Sequence, residues 1–179
     1  TLIELLIVVA IIGILAALLI PNAITAMQKA KQKATMKDIT TISTALTDYV
    51  TDNGVLVAHT DQLANSQDAY LANIAPFYIK ICPWADKWGF GYVINTRTAI
   101  TANFGVTLGA GETAGNDEFV VGSFGRNGTE GGPVGYAYDA TDPEAGLYFV
   151  RSMGDFDEDL AMWNGNWIVG PRTYVDTTT

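Results

Sequence analysis

From Leu5 to Ile20 the chain carries no charged or strongly polar side chain. A helix of that composition is apolar on every face, and with Thr1 to Glu4 it reaches the ~20 residues needed to cross ~30 Å of hydrocarbon. After Pro21 and Asn22 the pattern changes but does not stop. Ile39, Ile42, Leu46, Tyr49 and Val50 recur at helical spacing, with Asp38, Thr41, Thr44 and Asp48 off that stripe. Asn53-Gly54 is a helix-ending pair, so the spacing predicts one rod over residues 1–53, about 80 Å long at 1.5 Å per residue. Residues 1–24 need cover all round, from lipid or from other copies; the second half needs it on one face, which a head domain can supply. Pro21 lacks an N–H and crowds the carbonyl four residues back, so it is expected to kink or locally melt the rod. A secretory signal peptide would show a basic start, a shorter apolar core and a small-residue cleavage site. None of these marks is clear.

Residues 54–179 read as one globular head, making the whole an α+β chain. Phe90 to Ile94, Glu118 to Gly122 and Gly146 to Val150 are short aromatic and β-branched runs bounded by turns, predicting a small antiparallel sheet packed on the second half of the helix. Between Gly54 and Pro83, the positions Leu63, Tyr70-Leu71, Ile74 and Phe77-Tyr78 predict one or two short helices. Tyr136, Tyr138, Trp163 and Trp167 read as core or subunit contacts in preference to a cofactor box.

Charge narrows the function. The 179 residues carry a net charge of −9, unsuited to neutralising phosphates, so nucleic-acid binding is not expected. The sign is uneven: Lys29, Lys31, Lys33 and Lys37 stand against Glu4 in residues 1–37, leaving six basic and eighteen acidic residues beyond. Cys82 is the only cysteine, which excludes an internal disulfide and reads as a small buried side chain. His59 is the only histidine and reads as a surface loop residue. The glycine-rich run from Gly109 to Gly115 lacks the Lys-Ser/Thr of a phosphate cradle and reads as a flexible loop. With no recognisable convergence of nucleophile, base and orienting group, the chain is not expected to be an enzyme.

Glu4 is the exception inside the apolar stretch, and a lone carboxylate there calls for a partner and a role; a carboxylate near the interface at a helix start is the plainer reading. The run from Thr1 to Ala16, TLIELLIVVAIIGILA, resembles the mature N-terminus of the type IV pilin superfamily. That resemblance implies a precursor held in the bacterial inner membrane, a leader cut by prepilin peptidase before an N-methylated residue, usually Phe, and polymerisation on a filament assembly platform. It implies that Glu4 neutralises the N-terminal amine of a neighbouring copy, the Phe expected just before Thr1 being absent from this sequence, and that Pro21 marks a bend or melted stretch in the filament core. The product is a helical homopolymer, periplasmic as a pseudopilus or extracellular as a pilus. The alternative is a minor or tip pilin acting as an adhesin or other membrane-anchored binding protein; Glu4 favours a body subunit.

The head resembles the major pseudopilin of type II secretion. Asp86-Lys87-Trp88-Gly89-Phe90-Gly91-Tyr92 resembles that family's Asp-Pro-Trp-Gly-x-Pro-Tyr stretch, with Lys87 and Gly91 in place of both prolines. Gly122 to Gly132 resembles its Ser-x-Gly-x-Asp-Gly-x-x-Gly-Gly loop, and Asp157 to Trp163 its Asp-x-x-Trp ending. The resemblance implies a structural Ca²⁺ on Ser123, Asn127, Asp155, Asp157 and Asp159. Clustered oxygens suit such a hard cation, while the same acidic residues also read as a solvated turn. Asn127 stands where the family has an aspartate, Pro133 to Gly154 is inserted between the loop's halves, and the tail after Trp163 is extra.

Overall fold

The computed structural model describes residues 1–108 and 111–172. The tail 173–179 and two residues of the glycine-rich run, 109 and 110, lie outside the described residues. Helix α1 spans Leu2–Asn53 and ends where expected: Gly54 takes the left-handed conformation (φ 72°) that glycine adopts without strain, and its N–H donates to Val50 O at 2.7 Å. Ile39, Ile42 and Leu46 are fully buried and Tyr49 and Val50 half-buried, so the apolar stripe is the packing face.

Of the kink or melted stretch expected at Pro21, the melted stretch is absent from the single chain. α1 runs through Pro21 without interruption. Proline removes one donor, while neighbouring side chains add others: Asn22 Nδ2 donates to Leu18 O (3.2 Å) and Thr25 Oγ1 to Pro21 O (3.1 Å). With these bonds the single chain keeps its helical backbone at this point.

Five strands follow: β1 Val93–Thr96, β2 Phe119–Ser123, β3 Leu147–Tyr148, β4 Leu160–Trp163 and β5 Asn166–Pro171, in the order β1-β2-β4-β5-β3. The sheet is mixed, which corrects the antiparallel expectation. β1, β2, β4 and β5 pair antiparallel, but β3 lies parallel to β5, because the segment after β2 carries the chain to the far edge before it returns to β4. β1 starts later than expected because Phe90 O and Gly91 O serve other partners, accepting from Asp86 N and Gln62 Nε2. Helix α2 is a single turn, Leu71–Ile74, and Phe77 is 82 % exposed, so it is no core residue.

α1 covers one sheet face, packing Ile39, Ile42 and Leu46 near Tyr92, Ile94, Val121 and Leu160. The other face is covered by Ile100, Phe104 and Val106, with Tyr136 and Tyr138 from the expected insertion packed alongside. At the β1 edge, Ile94 N–H donates to Asp61 O (3.1 Å) and Thr96 N–H to His59 O (2.9 Å). His59 is half-buried and stacked on Tyr70 with ring centres 4.4 Å apart, more enclosed than the surface position expected; burial lowers its pKa. Cys82 is buried as expected, and burial pushes its thiol up to about 11.

Asp86 joins helix, turn and sheet. Its Oδ1 accepts from the N–H groups of Trp88 (2.9 Å), Gly89 (2.8 Å) and Phe90 (3.0 Å), and its Oδ2 from Ser123 Oγ (2.7 Å). The turn so held presents Lys87 N–H to Thr35 Oγ1 (3.2 Å), Trp88 Nε1 to Gln28 Oε1 (2.8 Å), and the Lys87 ammonium to Asp38. The two replaced prolines are thereby accounted for: Lys87 bonds to α1 through both backbone and side chain, and a side chain at Gly91 would overlap the Leu63 carbonyl.

Leu46→Ala empties a fully enclosed site between α1 and the sheet. We expect it to destabilise the head by about 2–5 kcal/mol, read from urea unfolding of the detergent-solubilised chain by tryptophan fluorescence.

Candidate functional site

Two regions carry the chemistry singled out in the sequence. The first is the N-terminal half of α1. No residue of its most apolar stretch is buried by the rest of the chain, and the side chains from Leu2 to Ile20 point into open surroundings on every side of the helix. Within the single chain, Glu4 Oε2 lies 2.6 Å from the Thr1 amine, and both groups are largely exposed. An exposed ion pair of this kind contributes little. Pro21 sits inside the uncovered half, with Met27 and Ile24 exposed after it.

The second region is where the glycine-rich loop after β2 meets the acidic run before β4. The backbones are close: Arg126 N–H donates to Phe156 O (2.8 Å), and a Cβ on Gly125, whose φ is +69°, would stand 2.5 Å from Glu158 O. The structure thus brings together the two segments that the sequence paired.

The five residues of the expected ion site are not pooled there. Ser123 Oγ is committed to Asp86 and to Gly125 N–H. Asn127 Oδ1 closes its own turn on Thr129 N–H (3.0 Å). Asp155 accepts from the N–H groups of Arg151 and Ser152, both at 2.6 Å. Asp157 forms a bidentate pair with Arg126 at 2.6 and 2.7 Å, the geometry in which guanidinium and carboxylate bind best. Among the described residues, no three His, Cys, Asp or Glu side chains stand together as a metal-holding group.

Asp159 remains, joined by Glu158 from the same acidic run. Each is 1 % exposed. Glu158 Oε1 accepts from Val134 N–H (2.7 Å) and Asp159 Oδ2 from Gly131 N–H (2.9 Å), while Glu158 Oε2 and Asp159 Oδ1 are buried without a partner. Gly132 makes this approach possible: its φ is +46°, and a Cβ there would lie 2.5 Å from Glu158 Oε2. Two adjacent acids directly preceding the apolar Leu160-Ala161-Met162 were the signal available, since a strand entering the core carries its first neighbours out of water. Burial, then the nearby Glu130 and Glu158 charges, push the Asp159 carboxyl up to about 7.

The chain is 33 % identical over 137 residues to the type II secretion system core protein G of Vibrio cholerae, a match covering 73 % of this chain and 84 % of that protein. It is also 33 % identical over 102 residues to the protein of the same name from Escherichia coli K12, covering 52 % of this chain and 68 % of that protein. No family model matches the chain. No solved structure matches it.

An acid with a raised folded-state pKa binds its proton more tightly folded than unfolded. Its contribution is favourable below the unfolded value, near 4, and is lost as pH rises toward about 7. In chelator, the urea midpoint of the wild type should fall across that window relative to Asp159→Asn, and the two profiles should run parallel above it.

Proposed function

Because this chain belongs to the core protein G family of type II secretion pseudopilins, within the type IV pilin superfamily, we propose that it is a structural subunit that polymerises through the first half of α1 into a pseudopilus. The observation that carries this reading is the uncovered apolar half-helix joined without a break to a half-helix that is packed. In the inner membrane that half is covered by lipid; in a polymer it is covered by copies of itself, which leaves the heads outside. Prepilin peptidase and an assembly platform are the machinery such a precursor requires, and a periplasmic filament is the product.

Glu4 gives the exchange its direction. Its carboxylate is largely exposed in the single chain; moved into a dry bundle, the charge needs a partner at every step, and the amine of the adjoining copy supplies one. At Pro21 the side-chain bonds of Asn22 and Thr25 support a helix that contact with other copies can open, which is where a bend in the filament core belongs.

A calcium ion at Glu158 and Asp159 is the second part of the reading. It is favoured by the two orphaned carboxylate oxygens of these residues. All-oxygen donors suit calcium. When bound, the ion would neutralise two buried acids and tie the loop to the start of β4. Ser123, Asn127, Asp155 and Asp157 would hold the loop's shape.

Glu4→Ala and Glu4→Gln should leave the precursor membrane-inserted and lower filament yield by roughly tenfold or more, as a buried unpaired amine is costly; wild-type yield from Glu4→Ala would overturn the assembly reading. At pH 8, calcium should raise the thermal midpoint of the wild type above its value in chelator, and Asp159→Asn should abolish that difference.

A further inference from the structure

Where α1 leaves the head, four cations surround an open groove of about 460 Å³. Lys29 and Lys33 approach it from one turn of α1 to the next, while Arg151 and Arg172 flank the Phe149 ring at 5.5 and 4.7 Å. Arg172 is paired with Glu144 at 2.6 Å; among the described residues, Lys29, Lys33 and Arg151 are in no ion pair. Phe149 and Val150 give the groove apolar walls. In a chain of net charge −9 this is a local reversal of sign.

The opposite end of the packed half of α1 has the complementary character. Asp48 and Asp52 stand one turn apart, exposed and in no ion pair among the described residues. They border a depression with Thr51, Phe77 and Tyr78. Phe77 and Ile81 are 82 % and 81 % exposed, with Lys80 as the one cation between them.

We propose that these two surfaces are the halves of one contact between copies of this chain, with Phe77 of one copy seated against Phe149 and Val150 of the next, and with Asp48 and Asp52 facing Lys29, Lys33 and Arg151. The inference rests on the filament reading and names its head-to-tail partner surface. A contact between different patches does not close on itself, so it propagates a fibre. Lys29 to Asp48 and Lys33 to Asp52 are each nineteen positions, which sets the two copies about 28 Å apart along the helix axis at 1.5 Å per residue. An anionic lipid headgroup would also suit the cations, but it would leave Phe77, Asp48 and Asp52 without a use. The second copy accounts for both surfaces.

The test uses the full chain in cells that assemble it. Lys29→Glu/Lys33→Glu and Asp48→Lys/Asp52→Lys should each lower filament yield about tenfold, as like charges face each other across the contact. Combining all four changes should restore most of the yield. In a Cys82→Ala background, Lys33→Cys/Asp52→Cys should form a ladder of disulfide-linked oligomers on mild oxidation, and neither single cysteine should. Wild-type yield from either reversal pair, or no ladder in wild-type-like filaments, overturns the proposal while leaving the Glu4 result untouched. So does the lipid outcome, in which Lys29→Glu/Lys33→Glu loses binding to phosphatidylglycerol vesicles while Asp48→Lys/Asp52→Lys polymerises normally.

Discussion

A head of this size can cover only part of a 52-residue helix, and most of the structure answers to that mismatch. Along the packed half, three fully buried residues on the stripe meet the sheet, and the turn around Asp86 reaches back to Gln28, Thr35 and Asp38. Beyond Thr25, whose hydroxyl meets Met153 Sδ, the described residues leave the apolar side chains uncovered. The uncovered half is therefore a demand on the surroundings. Lipid and other copies meet it with equal chemistry, since an alkyl chain and a leucine side chain are alike to a helix. Glu4 is the one side chain in that half with a charge to place.

The head carries buried carboxylates of two opposite kinds. Asp86 has four donors for its two oxygens and fixes the turn that anchors the head. Glu158 and Asp159 have one donor each, and their other oxygens are left over. A fully satisfied acid rigidifies its surroundings; a half-satisfied one is poised for a proton or a cation. The same small sheet is thus pinned at the helix side and chemically open at the loop side.

The sequence made α1 legible because periodicity and a stop signal agree there: the stripe from Ile39 to Val50 and the Asn53-Gly54 pair both depend on local geometry. β4 and β5 have a weaker signature, although Asn164-Gly165 is the residue pair that a tight hairpin favours and both have positive φ (46° and 86°). The acidic run directly before Leu160 and the Gly170-Pro171 pair interrupt the strand pattern at its two ends. The site was legible as two segments but not as a donor set. Which carboxylate is free depends on Arg126 reaching Asp157 and on the local caps that occupy Asp155, and neither contact has a signature in spacing.

The sheet's borders carry one more consequence. On the β1 side, the strand's outward N–H groups at Ile94 and Thr96 are taken by the chain at 59–61, and on the other side β3 offers only two residues. Strand edges left open invite pairing with whatever passes. A protein that crowds many identical heads along one rod keeps every such edge within reach of its neighbours for the life of the rod. With one border occupied and the other cut short, neighbouring heads can lie side by side without fusing into a continuous cross-strand ribbon, so the rod can be taken apart again into separate subunits.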